Sequence, residues 1–450
     1  MPSPGKFLAS LSAFDLLAYE EKVGRFGRAQ LREDSTLVSQ IVSLSAAATT
    51  LHKNRSVFND RSLNATVEAV RYFLSAQEYV LTQEKPRYEP YATIRLLRHV
   101  LEVDRHRPLS VTQRKIWAIF YRILLRQIDF EMKGLSGTLD PEREQFEFAV
   151  SRARIRKLAA AQALIPRRFA IVAVPDIVED IGDLCEIGGD RSGAAIVDHL
   201  LVFPQTTCHD EVAFISLIQM AECLFWGTLI FVQRALAAIH VGRLAQAVQL
   251  LAAATEFAAP LIKIFQCVKT MPPDHFLGFR EATGDASAVQ CQSWQMLDAH
   301  VYGVLPDKAP VLEGIPEVRH VLAFSNPHFV PLVQVAGQLG GSETEKELTE
   351  AIIRLDHRLR AWRKFHEKQL AGRTNPGYLP PEAPGTGRTS GYGYLAAQQP
   401  PRAARISAER PQRQRLGRRF RLLLATDREK PWKIAGLKMS SFLAAVPRAG

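Results

Sequence analysis

Apolar residues recur every three or four positions along most of this chain, the spacing that places them on one face of an α-helix. In the first 165 residues this pattern predicts five helices joined by polar or proline-containing segments: Leu37–Leu51, Leu63–Leu81, Tyr91–Val103, Val111–Lys133 and Pro141–Leu164. A single short run, Phe169–Val174, has the uninterrupted apolar composition of a strand. The pattern therefore favours an all-α fold built as a helical bundle.

The most apolar stretch of the chain is the 21-residue run Val212–Val232. Its length would suffice to cross a membrane, but Glu222 at its centre makes insertion into lipid costly. The sequence shows no second such stretch, so we expect a buried core helix and no membrane association. A further helix is predicted over Leu236–Phe265, and the Pro272-Pro273 pair ends that helical region.

The last predicted helix begins at Ser342, because Ser342 and Glu345 have the spacing of a capping box. Its apolar residues follow steps of four and three and form one stripe: Leu348, Ile352, Leu355, Leu359 and Trp362. The next step of four reaches His366, which periodicity alone would make a buried, hydrogen-bonded core residue. A run rich in Gly, Thr and Ser follows at residues 385–395, and such a run is either a flexible linker or a loop that binds a polar ligand.

Charge is distributed unevenly along the 450 residues. The net charge of +11 would by itself suggest a nucleic-acid partner, yet residues 401–450 hold 13 basic and three acidic side chains. The remainder is nearly neutral, and few aromatic residues accompany the basic ones. We therefore expect no nucleic-acid binding and a disordered basic tail over residues 398–450.

Cysteine content and the N-terminal composition indicate a cytoplasmic protein. The five cysteines, at positions 185, 208, 223, 267 and 291, are an odd number without metal-ligand spacing, which favours reduced thiols. The first residues contain no sustained apolar segment of the kind found in secretory signals. A Gly-, Asp- and Ser-rich stretch over residues 186–197 predicts a domain boundary near residue 190.

Three separated blocks of sequence resemble the heme-dependent tryptophan 2,3-dioxygenases. The first is His209-Asp210-Glu211 followed by Phe214-Ile215, Gln219 and Glu222, similar to the HDExxFI…HQxxE block of that family. The second spans residues 271–290 and contains the Phe279-Arg280 pair, and the third is Trp362-x-x-x-His366 followed by GTGRTSGYGYL. The resemblance covers roughly residues 195–397, which implies a heme domain at 191–397 and leaves residues 1–190 as an additional N-terminal helical domain of unknown role.

The resemblance implies a role for particular residues. His366 would be the proximal ligand of the iron of heme b, with Trp362, Phe279, Gly385 and Gly387 beside the cofactor. Arg280 would bind the carboxylate of an aromatic amino acid, because its planar guanidinium meets a carboxylate bidentately. The remaining substrate contacts implied by the resemblance are Thr386, Phe276 and Phe214.

Ile218 is one of the positions that depart from the family pattern, together with Ala288 and Arg388. The distal histidine of the family falls on Ile218, whose side chain can neither accept a hydrogen bond nor carry a proton. Three explanations remain open: the substrate is not recognised through an indole N–H, another group such as His209 or His275 reaches the site, or distal hydrogen bonding is dispensable. Heme binding is therefore more firmly implied than tryptophan as the substrate.

The resemblance implies an oxygenase that inserts O₂ into the indole ring of tryptophan or a derivative, giving an N-formylkynurenine-type product. The departure at Ile218 keeps open a heme-dependent monooxygenase acting on tyrosine or another aromatic amino acid. A heme-binding protein without catalysis is the third alternative. A homotetramer is expected from the resemblance alone.

Overall fold

Helices form nearly all of the regular structure. The computed structural model describes residues 14–53, 61–83, 85–102, 108–139, 143–169 and 199–369, with the backbone of two short strands nearer the C-terminus. Within these residues the fold is all-α, as the apolar spacing predicts.

The first 169 residues contribute seven of the described helices: α1 (Leu16–Leu31), α2 (Ser35–Lys53), α3 (Arg61–Thr82), α4 (Tyr88–Tyr91), α5 (Ile94–Glu102), α6 (Leu109–Ser136) and α7 (Phe148–Gln162). Helix α1 has no counterpart in the sequence prediction. The helix predicted to start at Tyr91 is divided, since Thr93 between α4 and α5 has a positive φ of 53°. Phe169 ends a 3₁₀ turn, Arg167–Phe169, and the rest of the predicted strand lies outside the described residues.

The central part of the chain forms five helices: α8 (His209–His240), α9 (Leu244–Ala258), α10 (Leu261–Val268), α11 (Pro273–Arg280) and α12 (Gln292–Tyr302). The prediction of one helix over Leu236–Phe265 is wrong. Helix α8 continues to His240, and the chain then turns at Gly242, whose φ of +77° favours glycine. A second break occurs before α10 at Pro260, which has no backbone N–H to donate.

Three more helices follow: α13 (Ala309–Glu313), α14 (Leu332–Gln338) and α15 (Glu343–Gln369). Two 3₁₀ segments, Ala288–Gln290 and Arg319–Ser325, lie before α12 and α14. Strands β1 (Lys433–Ile434) and β2 (Leu437–Lys438) pair antiparallel within the stretch predicted to be a disordered tail. The rest of that tail lies outside the described residues.

Helix α8 is the central element of the core. Most of its residues are buried, and it packs against α6, α9, α10 and α12. Apolar residues from both sides of position 190 belong to this core: Trp117 of α6 stacks on Phe257 of α9 with ring centroids 4.5 Å apart. The predicted boundary near residue 190 falls outside the described residues and stays a prediction.

Among the described residues, two helical stretches are long and apolar enough, by length and composition, to cross a membrane. The first is α8, whose most apolar window is 83% buried, and the second is Leu244–Val268, at 44%. The expectation that no second stretch exists is therefore wrong. Because most of the apolar window of α8 is enclosed by other helices, α8 has the surroundings of a core helix. The four described cysteines, Cys208, Cys223, Cys267 and Cys291, are buried and form no disulfide.

Candidate functional site

The predicted apolar stripe of α15 is confirmed and ends at His366. Ser342 and Glu345 form the capping box: the Ser342 N–H donates to Glu345 Oε2 at 3.0 Å, and the Glu345 N–H donates to Ser342 Oγ at 3.4 Å. Every apolar residue of the stripe, from Leu348 to Trp362, is at most 3% exposed. His366 lies one turn beyond Trp362 on the same face, where it is partly buried.

Aromatic side chains surround this end of the stripe. Trp362 contacts Trp294 of α12, Phe225 of α8 and Phe265 of α10, with ring centroids 4.3, 5.1 and 5.2 Å away. The His366 imidazole stacks on Trp362 at 5.6 Å and meets Phe265 edge to face at 5.1 Å. Four helices therefore bring their aromatic residues together next to one imidazole.

His366 is held uncharged and without a described hydrogen-bond partner. Burial, helped by the nearby charge of Arg363, lowers its pKa to about 4. Its Nδ1 is buried with no hydrogen-bond partner among the described residues. An unprotonated imidazole in such surroundings has a nitrogen lone pair available for a metal ion.

Another buried histidine shows the contrast. The pKa of His300 on α12 is likewise lowered to about 4 by burial, and its ring contacts Phe324 and Phe329. Both of its ring nitrogens, however, face protein atoms: Nδ1 lies 2.7 Å from the Met296 carbonyl, and Nε2 lies 3.2 Å from Gln233 Nε2. His300 is therefore satisfied by its own surroundings.

A second group of aromatic residues lies where α11, whose last residue is Arg280, packs against the first turns of α8. Phe214 of α8 contacts Phe276 and Phe279 of α11 at 5.7 and 5.5 Å between ring centroids. Phe279 is fully buried, whereas Phe214 and Phe276 are partly exposed. Burial lowers the pKa of Arg280, which also lies near enough to Tyr91 to interact with it electrostatically. The structure thus packs Phe214 and Phe276, predicted to contact the substrate, together with Phe279, predicted to lie beside the cofactor, and Arg280 directly follows Phe279 at the end of α11.

Ile218 follows Phe214 by one turn of α8 and is also partly exposed. The two histidines considered as substitutes at this position have other partners. His209 Nε2 lies 3.1 Å from Glu131 Oε2, while His275 Nδ1 lies 2.8 Å from Asp210 Oδ2. Their arrangement therefore argues against either histidine replacing Ile218.

The buried charged residues that contact these two histidines are not predicted as a cluster by the sequence. Arg154 of α7 donates to Glu131 of α6 at 2.7 Å and to Asp210 of α8 at 2.6 Å, and all three are buried. His209 and His275 complete this cluster, which joins the N-terminal helices to the start of α8 and to α11. Arg154 belongs to the segment Arg152-Ala153-Arg154, whose composition gives no signal that one arginine is buried.

Other predicted site residues cannot be placed. Thr386, Gly385 and Gly387 lie outside the described residues. Across the described ranges, no group of three or more His, Cys, Asp or Glu side chains could hold a metal ion. A heme needs a single axial protein ligand, however, so one imidazole with an unpartnered ring nitrogen is sufficient.

The two groups share one rigid scaffold. Ile218 and Phe225, seven residues apart on α8, are separated by about 10 Å along the helix axis. Phe225 contacts Trp362 near His366, whereas Ile218 lies one turn from the Arg280 group. An uncharged imidazole without a described partner, enclosed by wide aromatic surfaces, fits an iron porphyrin, and a half-buried arginine beside phenylalanines fits an aromatic amino acid.

Curated tryptophan 2,3-dioxygenases resemble part of this chain. Those of Bacillus thuringiensis (strain Al Hakam) and Bacillus anthracis are 27% identical over 132 residues, covering 29% of this chain and 46% of the relative. The enzyme of Ruegeria sp. (strain TM1040) is 27% identical over 119 residues, covering 26% and 43%. The chain thus spans less than half the length of the curated relatives it matches. No family model and no solved structure matches it significantly.

Proposed function

We propose that this protein is a heme-dependent oxygenase of tryptophan or a tryptophan derivative, with His366 as the axial ligand of the iron. The observation that carries the proposal is the state of His366: uncharged, enclosed by Trp362 and Phe265, and without a hydrogen bond to any described residue. The distant similarity to tryptophan 2,3-dioxygenases supports it.

Trp362 and Phe265 orient the imidazole. They contact two sides of the ring, so that rotation would cost packing on both. Arg363 is fixed close by, because its Nη1 donates to Asp298 Oδ1 at 2.7 Å and its guanidinium lies over the rings of Trp294 and Tyr302. The end of α15 is thereby anchored to α12, which is the rigidity an axial ligand requires.

Arg280 and the phenylalanines would bind and orient the substrate. The guanidinium would take the carboxylate of the amino acid, and Phe214 with Phe276 would contact its aromatic ring. Thr386 and the Gly-rich loop would close over the bound substrate, as the sequence resemblance implies. The homotetramer and the cytoplasmic location also remain expectations from the sequence.

The proposed reaction cleaves the indole C2–C3 bond of tryptophan, leaves one oxygen atom of O₂ on each of the two carbons as a carbonyl group, and so yields N-formylkynurenine. Heme, when bound, would supply the activation of O₂. The polypeptide contributes the carboxylate clamp, the apolar walls and the exclusion of water. Ile218, at the predicted distal position, offers no group that could take a proton from the indole nitrogen.

A second candidate is a monooxygenase that transfers one oxygen atom to tyrosine or another aromatic amino acid and releases the other as water, using peroxide, or O₂ with a two-electron reductant. Ile218 specifically favours this candidate. An apolar side chain at this position forms no hydrogen bond with a substrate N–H. A substrate without an indole therefore loses no binding affinity there relative to tryptophan. Product mass separates the candidates: two added oxygen atoms on tryptophan support the dioxygenase, and one added atom on tyrosine supports the monooxygenase. Full heme loading without turnover of either amino acid would indicate a non-catalytic heme-binding protein.

Heme reconstitution with matched variants tests the proposal. We expect a Soret band in the wild-type protein, a shifted or lost band in His366→Ala, and a wild-type band in His300→Ala. His300 is the control because it shares the burial and lowered pKa of His366 but has partners for both ring nitrogens. An identical spectrum for His366→Ala and the wild type would rule out the ligand assignment.

A further inference from the structure

The guanidinium of Arg280 is held on one side by the turn that follows it. Its Nη1 donates to Thr283 Oγ1 and, at 3.4 Å, to the carbonyl oxygen of Gly284. In the described part of the chain, its Nε and Nη2 make no hydrogen bond. The turn therefore determines which edge of the guanidinium is presented to a carboxylate.

That turn lies directly against the backbone of the N-terminal half. Gly284 has a φ of +57°, and a Cβ atom at this position would lie 2.6 Å from Lys85 Cα and 2.7 Å from Pro86 Cδ. Neither neighbour is the end of a flexible side chain that could move aside. Only glycine satisfies both the backbone conformation and the close approach.

Gln290 joins the same two segments by hydrogen bonds. Its Nε2 donates to the carbonyl oxygen of Asp285 at 3.0 Å, and its Oε1 accepts from the backbone N–H of Tyr88 at 2.9 Å. Its side chain is 1% exposed, so both bonds are protected from water. Replacing Gln290 would leave a buried backbone group without its partner.

The N-terminal segment is itself fixed from the other side. Arg87 forms a bidentate ion pair with Glu317, including a hydrogen bond of 2.7 Å from its Nη2 to Glu317 Oε2. Tyr88 donates its hydroxyl to Glu222 of α8 at 2.8 Å, and Tyr91 donates to Glu211 at 3.1 Å. The segment Lys85–Tyr91 is thus tied both to α8 and to the region preceding α14.

We propose that the segment Lys85–Tyr91 is a positioning element for Arg280, acting through the close approach at Gly284 and the bridge made by Gln290. The N-terminal half would then determine how tightly the protein recognises the carboxylate of its substrate. This inference rests on the proposed function in one respect, namely that Arg280 binds that carboxylate.

A positioning role predicts an effect confined to the carboxylate, whereas a general structural role would weaken the binding of any ligand. L-tryptophan and tryptamine form a suitable pair, since tryptamine lacks the carboxylate and keeps the indole and the amine. L-tyrosine and tyramine form the equivalent pair for the second candidate function. Isothermal titration of the heme-loaded protein measures all four.

The decisive variant is Gly284→Ala, with Gly242→Ala as its control. Gly242 has a φ of +77°, and a Cβ atom at this position would have no neighbour within 4 Å, so the control carries the backbone strain without the steric clash. We expect Gly284→Ala to weaken binding of the amino acid about tenfold, with the amine within about twofold of wild type and Gly242→Ala unchanged. Equal weakening of amino acid and amine, or no weakening of either, would overturn the positioning role.

A milder variant covers the case in which Gly284→Ala does not fold. Arg87→Gln removes a partly exposed ion pair, and we expect about a threefold, carboxylate-specific loss of affinity. An Arg87→Gln protein that folds and binds both ligands as the wild type does would count against the proposal.

A readout without ligand separates this inference from the proposed function. In ¹⁵N-arginine spectra, the Nε–H signal of Arg280, assigned with Arg280→Lys, should shift or broaden in Gly284→Ala and Arg87→Gln but not in Gly242→Ala. If the wild type binds no aromatic amino acid, the proposed function fails while these spectra still decide whether the segment positions Arg280. An unchanged signal in both variants would refute the inference even if the proposed function holds.

Discussion

Two regions of this protein enclose histidines in opposite ways. Around the start of α8, His209 and His275 face the buried carboxylates of Glu131 and Asp210. At the end of α15, His366 lies among aromatic rings and has no hydrogen bond to any described residue. Burial alone therefore does not identify a ligand, and the partners of the ring nitrogens distinguish the two regions.

The charged region has the character of a structural support. Arg154 forms ion pairs with two carboxylates at once, and Ser151 donates a further hydrogen bond to Glu131 Oε2 at 2.5 Å. His209 keeps an unpartnered Nδ1, but its ring is fixed by stacking on Phe130 at 4.5 Å and by Glu131. The polar groups of the charged region mainly form hydrogen bonds and ion pairs with one another. This arrangement suits a junction between helices better than a ligand site.

The largest expected effect comes from Arg154→Met. The substitution leaves the carboxylates of Glu131 and Asp210 buried without their cation, and we expect a loss of about 3–5 kcal/mol in the free energy of unfolding. Urea denaturation measures it. Arg156→Met, on the exposed side of the same helix, is the control and should change stability by less than about 0.5 kcal/mol. Similar values for the two variants would mean that the cluster is not the support described above.

Acid should destabilise the charged region through Glu131. Although burial opposes it, the charge of Arg154 and hydrogen bonds from His209 and Ser151 lower the pKa of Glu131 to about 2. A carboxyl group whose pKa is lower in the folded state contributes stability above its ordinary pKa and loses it as the pH falls. We expect the free energy of unfolding to fall between about pH 5 and pH 2, and less steeply in Glu131→Gln. Parallel pH profiles for the two proteins would contradict this assignment.

The smallest expected effects on the free energy of unfolding come from replacing His209 or His366 by leucine in heme-free protein. These two substitutions also give the sharpest contrast between the two regions. His209→Leu removes a hydrogen bond to a buried carboxylate and should cost about 1–3 kcal/mol. His366→Leu places an apolar side chain among aromatic rings and should change stability by less than about 1 kcal/mol. Urea denaturation of both variants provides the comparison. A large loss for His366→Leu would show a structural role that the described contacts do not contain.

The sequence predicts the residues around His366 and around Arg280 better than it predicts the charged cluster of Arg154, Glu131 and Asp210. The helical period of α15 and its capping box follow from local rules, and both are confirmed. Arg280 and the three phenylalanines follow from similarity of motif, and the structure packs the phenylalanines against one another. Arg154 and Glu131 could not be found in this way, because their burial depends on the packing of α6, α7 and α8 rather than on any local pattern. The break between α9 and α10 was missed because an apolar run conceals the effect of Pro260.

The continuity of helix α8 limits where residues can be inserted into or deleted from the chain. It carries Phe214 beside Arg280 at one point and Phe225 beside Trp362 at another, without interruption. A single residue inserted between Ile218 and Phe225 would rotate everything beyond it by about 100° and advance it by about 1.5 Å. Phe225 would then leave Trp362 while Phe214 kept its place, so the two groups would lose their register. Insertions and deletions should therefore be confined to connections such as the turn at residues 241–243, and the interval along α8 should behave as a fixed length.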